Sequence, residues 1–149
     1  MNEEQKMKWL KTFLRVYGVL TILIFGSLSV GFLIQTPLMN LNPEGPLHWL
    51  IWDDVTGHLG PMLFVIYLVW GVFFFLAANN PLKYRSFLDF TLWANLAHGL
   101  LMVPMALSGS HLYHSKFLTD IPFILILAIG IYLLRPRGPQ GQSGALDSE

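Results

Sequence analysis

The sequence predicts an all-α integral membrane protein, a four-helix bundle with both termini on the cytoplasmic side of the membrane. Two observations predict this fold. Hydrophobic residues make up 54% of the 149-residue chain and charged residues only 12%, whereas soluble domains carry about 25% charged residues. The sequence also contains four apolar stretches, each suited to a helix that crosses the hydrocarbon core of a bilayer, which is about 30 Å thick.

One transmembrane domain, residues 1–134, is expected to hold all four spans. The predicted spans cover about residues 13–34, 58–78, 86–107 and 117–134. Ser86 and Asp89 have the spacing of a capping box at the start of the third span. Residues 135–149 are rich in Gly, Pro and Ser, so we predict that they form a disordered cytoplasmic tail.

The distribution of positive charge predicts the orientation of the four spans. Every Lys and Arg except Lys116 would lie on the same side of a four-span chain. The positive-inside rule assigns that side to the cytoplasm. We therefore expect a multi-pass protein of the cell inner (cytoplasmic) membrane, with residues 35–57 and 108–116 outside.

Charge and cysteine content exclude several classes of function. The formal net charge is zero and the chain has no cysteine. Without a basic surface, binding to nucleic acid is not expected. Without thiols, disulfide relays, zinc-thiolate sites and iron–sulfur clusters are excluded, and any metal would need histidine, carboxylate or carbonyl ligands.

Histidine and aspartate residues gather at the predicted outer boundary. His111, His114 and Asp120 lie in or beside the loop between the third and fourth spans, and His58 lies at the outer start of the second. Imidazoles and carboxylates together suit zinc, copper or iron, so these four residues are candidate metal ligands. The alternative is a short solvated loop in which Asp120 caps the fourth helix, since the His-x-x-His spacing lacks the features of HExxH.

His98 lies inside the third span, close to the predicted midplane of the bilayer. An ionisable residue at that depth is a functional-site hypothesis by default. Helical spacing aligns it with Thr91 and Asn95 in a polar stripe, and Tyr67 of the second span lies at the same depth. Three interpretations remain open. The first is a neutral histidine hydrogen-bonded to Tyr67, to Asn95 or to a serine of the first span (Ser27 or Ser29). The second is a pocket for a quinone, a proton relay or a small substrate, and the third is a haem or metal site.

Three features of the sequence resemble a family of small bacterial four-span membrane proteins of unknown function. They are His58 before an apolar span, the stretch AANNPLKYRSFLDFTLWANLAHGLLM (77–102) and the loop HLYHSKFLTDIP (111–122). The resemblance covers about residues 10–137. It implies only that the polar set of the family includes His58, His98, His114 and Asp120, because no activity is assigned to the family.

The absence of a recognised catalytic motif favours a non-catalytic accessory or assembly subunit, in contact with lipid and with a membrane-protein partner or a second copy of the chain. The outer histidines favour the alternative, a small redox, quinone-linked or metal-dependent membrane enzyme. A small-solute transporter is a third hypothesis, weakened by the lack of an internal repeat. The sequence requires no cofactor, although a metal or a quinone would be compatible with it.

Overall fold

The structure, a computed structural model, describes residues 2–34, 59–109 and 111–135. It confirms the all-α fold. The helices are α1 (Glu3–Ile34), α2 (Leu59–Asn79), α3 (Arg85–Ser108) and α4 (Asp120–Leu134), with a 3₁₀ segment (His111–Phe117) before α4. Four helical stretches are long and apolar enough to cross a membrane, the fourth being Tyr113–Leu134, in which part of the 3₁₀ segment extends α4. This is the architecture of a multi-pass membrane protein.

The four helices alternate in direction. Arg15 in α1 donates a hydrogen bond to Asn79 at the end of α2 (3.5 Å), and Arg135 after α4 forms an ion pair with Asp89 near the start of α3. The start of α1 and the end of α4 therefore lie at the same end of the bundle. We call this the cationic end, because every described Lys and Arg except Lys116 lies toward it.

The half of the bundle nearest the cationic end, the packed half, has a continuous core to which all four helices contribute. Its buried residues are Leu10, Leu14, Tyr17, Phe74, Ala77, Ala78, Leu88, Leu92, Leu127 and Ile131. Close packing of such side chains, together with small residues at helix crossings, drives helix association in lipid. At Gly18, for example, an added Cβ would lie 3.2 Å from the carbonyl oxygen of Gly71, so α1 and α2 approach closely there.

Contacts between helices are unevenly distributed. The long helix α1 packs along α2, and α3 packs along α4, so the bundle consists of two helical hairpins. The hairpins meet through α1 and α4, whereas α2 and α3 approach each other at only a few positions. Beyond the packed half, a second, smaller core links α3 to α4, with Met102, Ala106, Ile121 and Ile124 buried. The described residues leave space between the hairpins there.

Two helix starts differ from the sequence prediction. The helix α1 begins at Glu3, where Asn2 and Gln5 exchange hydrogen bonds between side chain and backbone in a capping box. The capping box predicted at Ser86 is wrong, because α3 begins at Arg85 and no side chain caps it. Asp89 instead pairs with Arg135.

Several predictions concern residues outside the described ranges. They include His58, the rest of the segment 35–58, and residues 136–149 of the predicted tail. Arg135 is the one tail residue that the structure describes, and its pairing with Asp89 attaches the end of α4 to α3.

Candidate functional site

A cavity of about 400 Å³ lies between the two hairpins, in the half of the bundle away from the cationic end. We call this region the cavity half. All four helices contribute to the wall, which is mainly aliphatic and aromatic with a few polar side chains. The lining residues are Thr21, Ile24, Phe25, Leu28, Leu63, Phe64, Tyr67, Trp70, Phe74, Asn95, His98, Met102, Thr119, Asp120, Phe123, Ile124 and Leu127.

Trp70 forms the boundary between the cavity and the packed half. Its Nε1 donates a 2.9 Å hydrogen bond to Oγ1 of Thr91, which is completely buried in α3. The Trp70 ring also stacks on Phe90, with ring centroids 5.6 Å apart. The Trp70 side chain of α2 thus reaches α3 and links the two helices at the end of the cavity nearest the packed half.

His98 and Tyr67 form the polar contact between α2 and α3 beside the cavity. His98 Nδ1 and the Tyr67 hydroxyl lie 3.3 Å apart and share a hydrogen bond. The hydrogen bond to Tyr67 agrees with the partner named in the first interpretation of His98, and the second interpretation stays open, because both side chains line the cavity. The His98 side chain is also exposed on the described bundle, so it lies at an edge of the cavity.

The predicted polar stripe on α3 does face the interior. Thr91 and Asn95 are buried, and Asn95 Nδ2 donates a 2.7 Å hydrogen bond to the carbonyl oxygen of Thr91. Asn95 and His98 both line the cavity. One side of α3 therefore carries polar groups from the Trp70 boundary to the Tyr67 hydrogen bond.

An ion pair lies at the opposite end of the cavity from Trp70. Asp120 is the first residue of α4 and lines the cavity, and its Oδ2 lies 3.6 Å from Nζ of Lys116 in the 3₁₀ segment. The Lys116 side chain is 0% exposed. The expected solvated loop is therefore wrong for Lys116, and the expected capping role is wrong for Asp120, because Thr119 occupies the N-cap position.

Aromatic rings form one wall of the cavity. Phe25 of α1 stacks on Tyr67 of α2, with centroids 4.3 Å apart and ring planes 10° apart. Tyr67 is in turn nearly parallel to Trp70, at 5.9 Å and 16°. Three near-parallel rings thus form a stacked row along α1 and α2, which we call the aromatic wall.

The predicted metal ligands are only partly described. His58 and the side chain of His111 lie outside the described set, and His114 is exposed in the 3₁₀ segment. Among the described residues, no three His, Asp or Glu side chains lie together as a metal site requires. Of the four candidates, the structure places only Asp120 in the cavity wall.

Sequence reasoning missed three features of the site. The charge distribution predicts Lys116 as the lone cation of an outer loop, although its i,i+4 spacing to Asp120 is a signal for an ion pair within one helical segment. No sequence pattern singles out Trp70 or Phe25 as a residue of the site. No pattern in a uniformly apolar helix distinguishes a cavity-lining aromatic residue from a lipid-facing one, because both surroundings are apolar.

Comparison with known proteins gives no relative to which this site can be related. The chain matches no known protein-family model, and neither a curated protein nor a solved structure is similar enough to it to be matched.

Proposed function

We propose that this chain is a multi-pass membrane protein that binds an apolar small molecule within the membrane, in the cavity between its two helical hairpins. The cavity is the observation that carries the proposal. Its volume of about 400 Å³ falls within the range of small-molecule sites, which is about 300–1,000 Å³. Predominantly apolar walls with a few convergent polar groups are also typical of such sites.

The arrangement of polar groups supports the proposal that the cavity is a binding site rather than an empty space left by loose packing. Tyr67 and His98 contribute a hydrogen-bonded pair at one side of the cavity, and Asp120 contributes a carboxylate at one end. Polar and ionisable groups are costly in a membrane, so a bundle without a use for them would be expected to fill this space with aliphatic side chains. A bound molecule with an apolar body and a polar group would pack against the apolar side chains of the wall and form hydrogen bonds with its polar side chains.

The accessory-subunit hypothesis is compatible with this proposal, since a subunit of a larger membrane complex can hold a lipid-soluble molecule. A quinone-linked enzyme would use the same cavity, with His98 and Asp120 as its proton-accepting groups. We place the protein, as part of the proposal, in the inner membrane and in the family of bacterial four-span proteins that residues 77–102 and 111–122 resemble.

A pair of tryptophan substitutions on α1 tests the binding proposal. Ile24 lines the cavity, whereas the adjacent Leu23 is 60% exposed on the outside of the bundle. Ile24→Trp should fill the cavity, and Leu23→Trp should leave it open. Leu28→Trp is a second filling variant, in case Ile24→Trp does not fold.

The measurement is mass spectrometry of the lipid-soluble molecules that co-purify with each protein in mild detergent. We expect a molecule in a fixed ratio to the wild type and to Leu23→Trp, and its loss from the filled variants. Equal retention by all of these proteins would contradict the proposal.

The proposed orientation has its own test, made simple by the absence of cysteine from the chain. Leu82 lies in the turn between α2 and α3 and is 64% exposed, and Leu118, before α4, is 87% exposed. In intact cells, a membrane-impermeant maleimide should label Leu118→Cys and should label Leu82→Cys only after the membrane is opened. The reverse pattern would invert the proposed orientation.

A further inference from the structure

We infer that the ligand of the cavity is an uncharged molecule with a planar ring that carries a hydroxyl group, as in a phenol or a hydroquinone. This inference rests on the proposed function. It adds the chemical class of the ligand, argued from the ring geometry, the hydrogen-bonding groups and the charge balance of the described wall.

The aromatic wall favours a planar ring. The ring planes of Phe25 and Tyr67 differ by only 10°, and those of Tyr67 and Trp70 differ by 16°. A flat ligand ring can contact these near-parallel rings either offset and parallel or edge to face, and such aromatic pairs are worth about 0.5–1.5 kcal/mol beyond the area that they bury. A saturated, puckered ring of the same size has no π-electron system and therefore lacks the quadrupole on which these aromatic contacts depend.

The polar groups favour a hydroxyl over a carbonyl. A neutral histidine has one donor and one acceptor nitrogen, and Nδ1 of His98 is engaged with Tyr67, so Nε2 is the nitrogen that a ligand would meet. A hydroxyl satisfies Nε2 in either tautomer, because it can both donate and accept, whereas a carbonyl satisfies only one tautomer.

The charge balance of the described wall favours a neutral ligand. Asp120 is the one acidic residue among the described lining residues, and the buried ammonium group of Lys116 lies 3.6 Å from its carboxylate. A charged ligand would enter an apolar site whose carboxylate is already matched by a cation. The cost of removing that ligand charge from water would then find no compensating partner among the described lining residues.

Four probes with the same decyl chain separate these features. They are 4-decylphenol, 4-decylanisole, 4-decylcyclohexanol and 4-decylbenzoate. The anisole lacks the hydroxyl proton, the cyclohexanol lacks the planar ring, and the benzoate adds a charge. Apparent Kd values, expressed as mole fraction of probe in the lipid, follow from the rise in Tm of the full chain in bilayer nanodiscs.

We expect 4-decylphenol to bind the wild type about tenfold more tightly than 4-decylanisole, the effect of one hydrogen bond. It should also bind more tightly than the cyclohexanol and the benzoate. His98→Leu should abolish the preference of the phenol over the anisole, and His98→Gln should recover part of it. Trp93→Leu, a change to an α3 side chain that is 60% exposed, serves as the matched control and should keep the preference.

The other outcomes overturn the inference in distinguishable ways. If the neutral probes bind equally, or if the benzoate binds most tightly, the ligand class is wrong although the cavity binds small molecules. If no probe raises the Tm of the wild type, the proposed function fails as well. The wild-type series decides between these outcomes even if His98→Leu does not fold.

Discussion

The packed half and the cavity half are both built mainly from apolar residues, but their helices pack differently. In the packed half, ten buried side chains from all four helices meet in one core, and glycines allow α1 and α2 to approach. In the cavity half, the smaller core found among the described residues links α3 to α4, and polar side chains border the cavity. This difference is what the proposed function explains: the packed half holds the helices together, and the cavity half would receive the proposed ligand.

The largest effect is expected from the ion pair at the end of the cavity half. Lys116→Met removes the buried cation beside Asp120. Removal of one member of a buried ion pair costs about 3–5 kcal/mol, so unfolding in mixed detergent micelles should become easier by about that amount. The double variant Lys116→Met, Asp120→Asn should regain more than half of the loss, and an unchanged unfolding free energy in the single variant would show that the pair contributes nothing.

Matched leucines on α1 compare the two halves directly. Leu14 is 0% exposed in the packed half, and Leu28 is 8% exposed beside the cavity. Leu14→Ala should lower the free energy of unfolding by about 3 kcal/mol, because it creates a new void in a filled core. Leu28→Ala should cost about 1 kcal/mol, because it only enlarges existing space. Equal losses would contradict the distinction between the halves.

Two glycine-to-alanine substitutions, one in each half, measure how closely the helices of the packed half are packed. At Gly130, an added Cβ would lie 2.2 Å from Cζ of Phe13, so Gly130→Ala forces the half-buried Phe13 ring to move and should cost about 1 kcal/mol. Gly26 is the control on α1, since a Cβ there would lie 3.7 Å from Leu68, an ordinary contact. Gly26→Ala should therefore have little effect on the same unfolding curve, and a larger loss at Gly26 than at Gly130 would be inconsistent with the packing described.

The smallest effect is expected at the boundary between the halves. Trp70→Phe and Thr91→Val each remove one partner of the 2.9 Å hydrogen bond. A double-mutant cycle should give a coupling of about 0.6 kcal/mol, the average for hydrogen bonds between membrane helices. A coupling of zero would mean that ring packing against Tyr67 and Phe90 holds Trp70 without help from the hydrogen bond.

The sequence was sufficient to predict the architecture of the described bundle. Apolar stretches of spanning length and the one-sided distribution of Lys and Arg predict four alternating helices, and helical spacing predicts the stripe that includes Asn95 and His98. Depth along the helix axis also made Tyr67 one of the predicted partners of His98. These features depend on local periodicity and on position along the helix axis, both of which a single sequence carries.

The cavity could not be predicted in the same way. It depends on which helices pack together, and α2 packs on α1 rather than on α3, although a short turn joins α2 to α3. The burial of Lys116 was missed for a related reason, because the 3₁₀ segment turns its side chain inward where a solvated loop was expected. Charge on a loop residue indicates a solvent preference that a nearby carboxylate can override.

Saturation binding tests the central claim, that the cavity half holds a small molecule, most directly. The measurement is the amount of 4-decylphenol bound to the wild type and to Ile24→Trp in nanodiscs, as the probe concentration is raised at constant lipid. We predict saturation at one molecule per wild-type chain, and uptake by Ile24→Trp no greater than that of empty nanodiscs. Uptake that rises linearly and equally for the wild type, the variant and empty nanodiscs would reflect partition into lipid alone and would contradict the account.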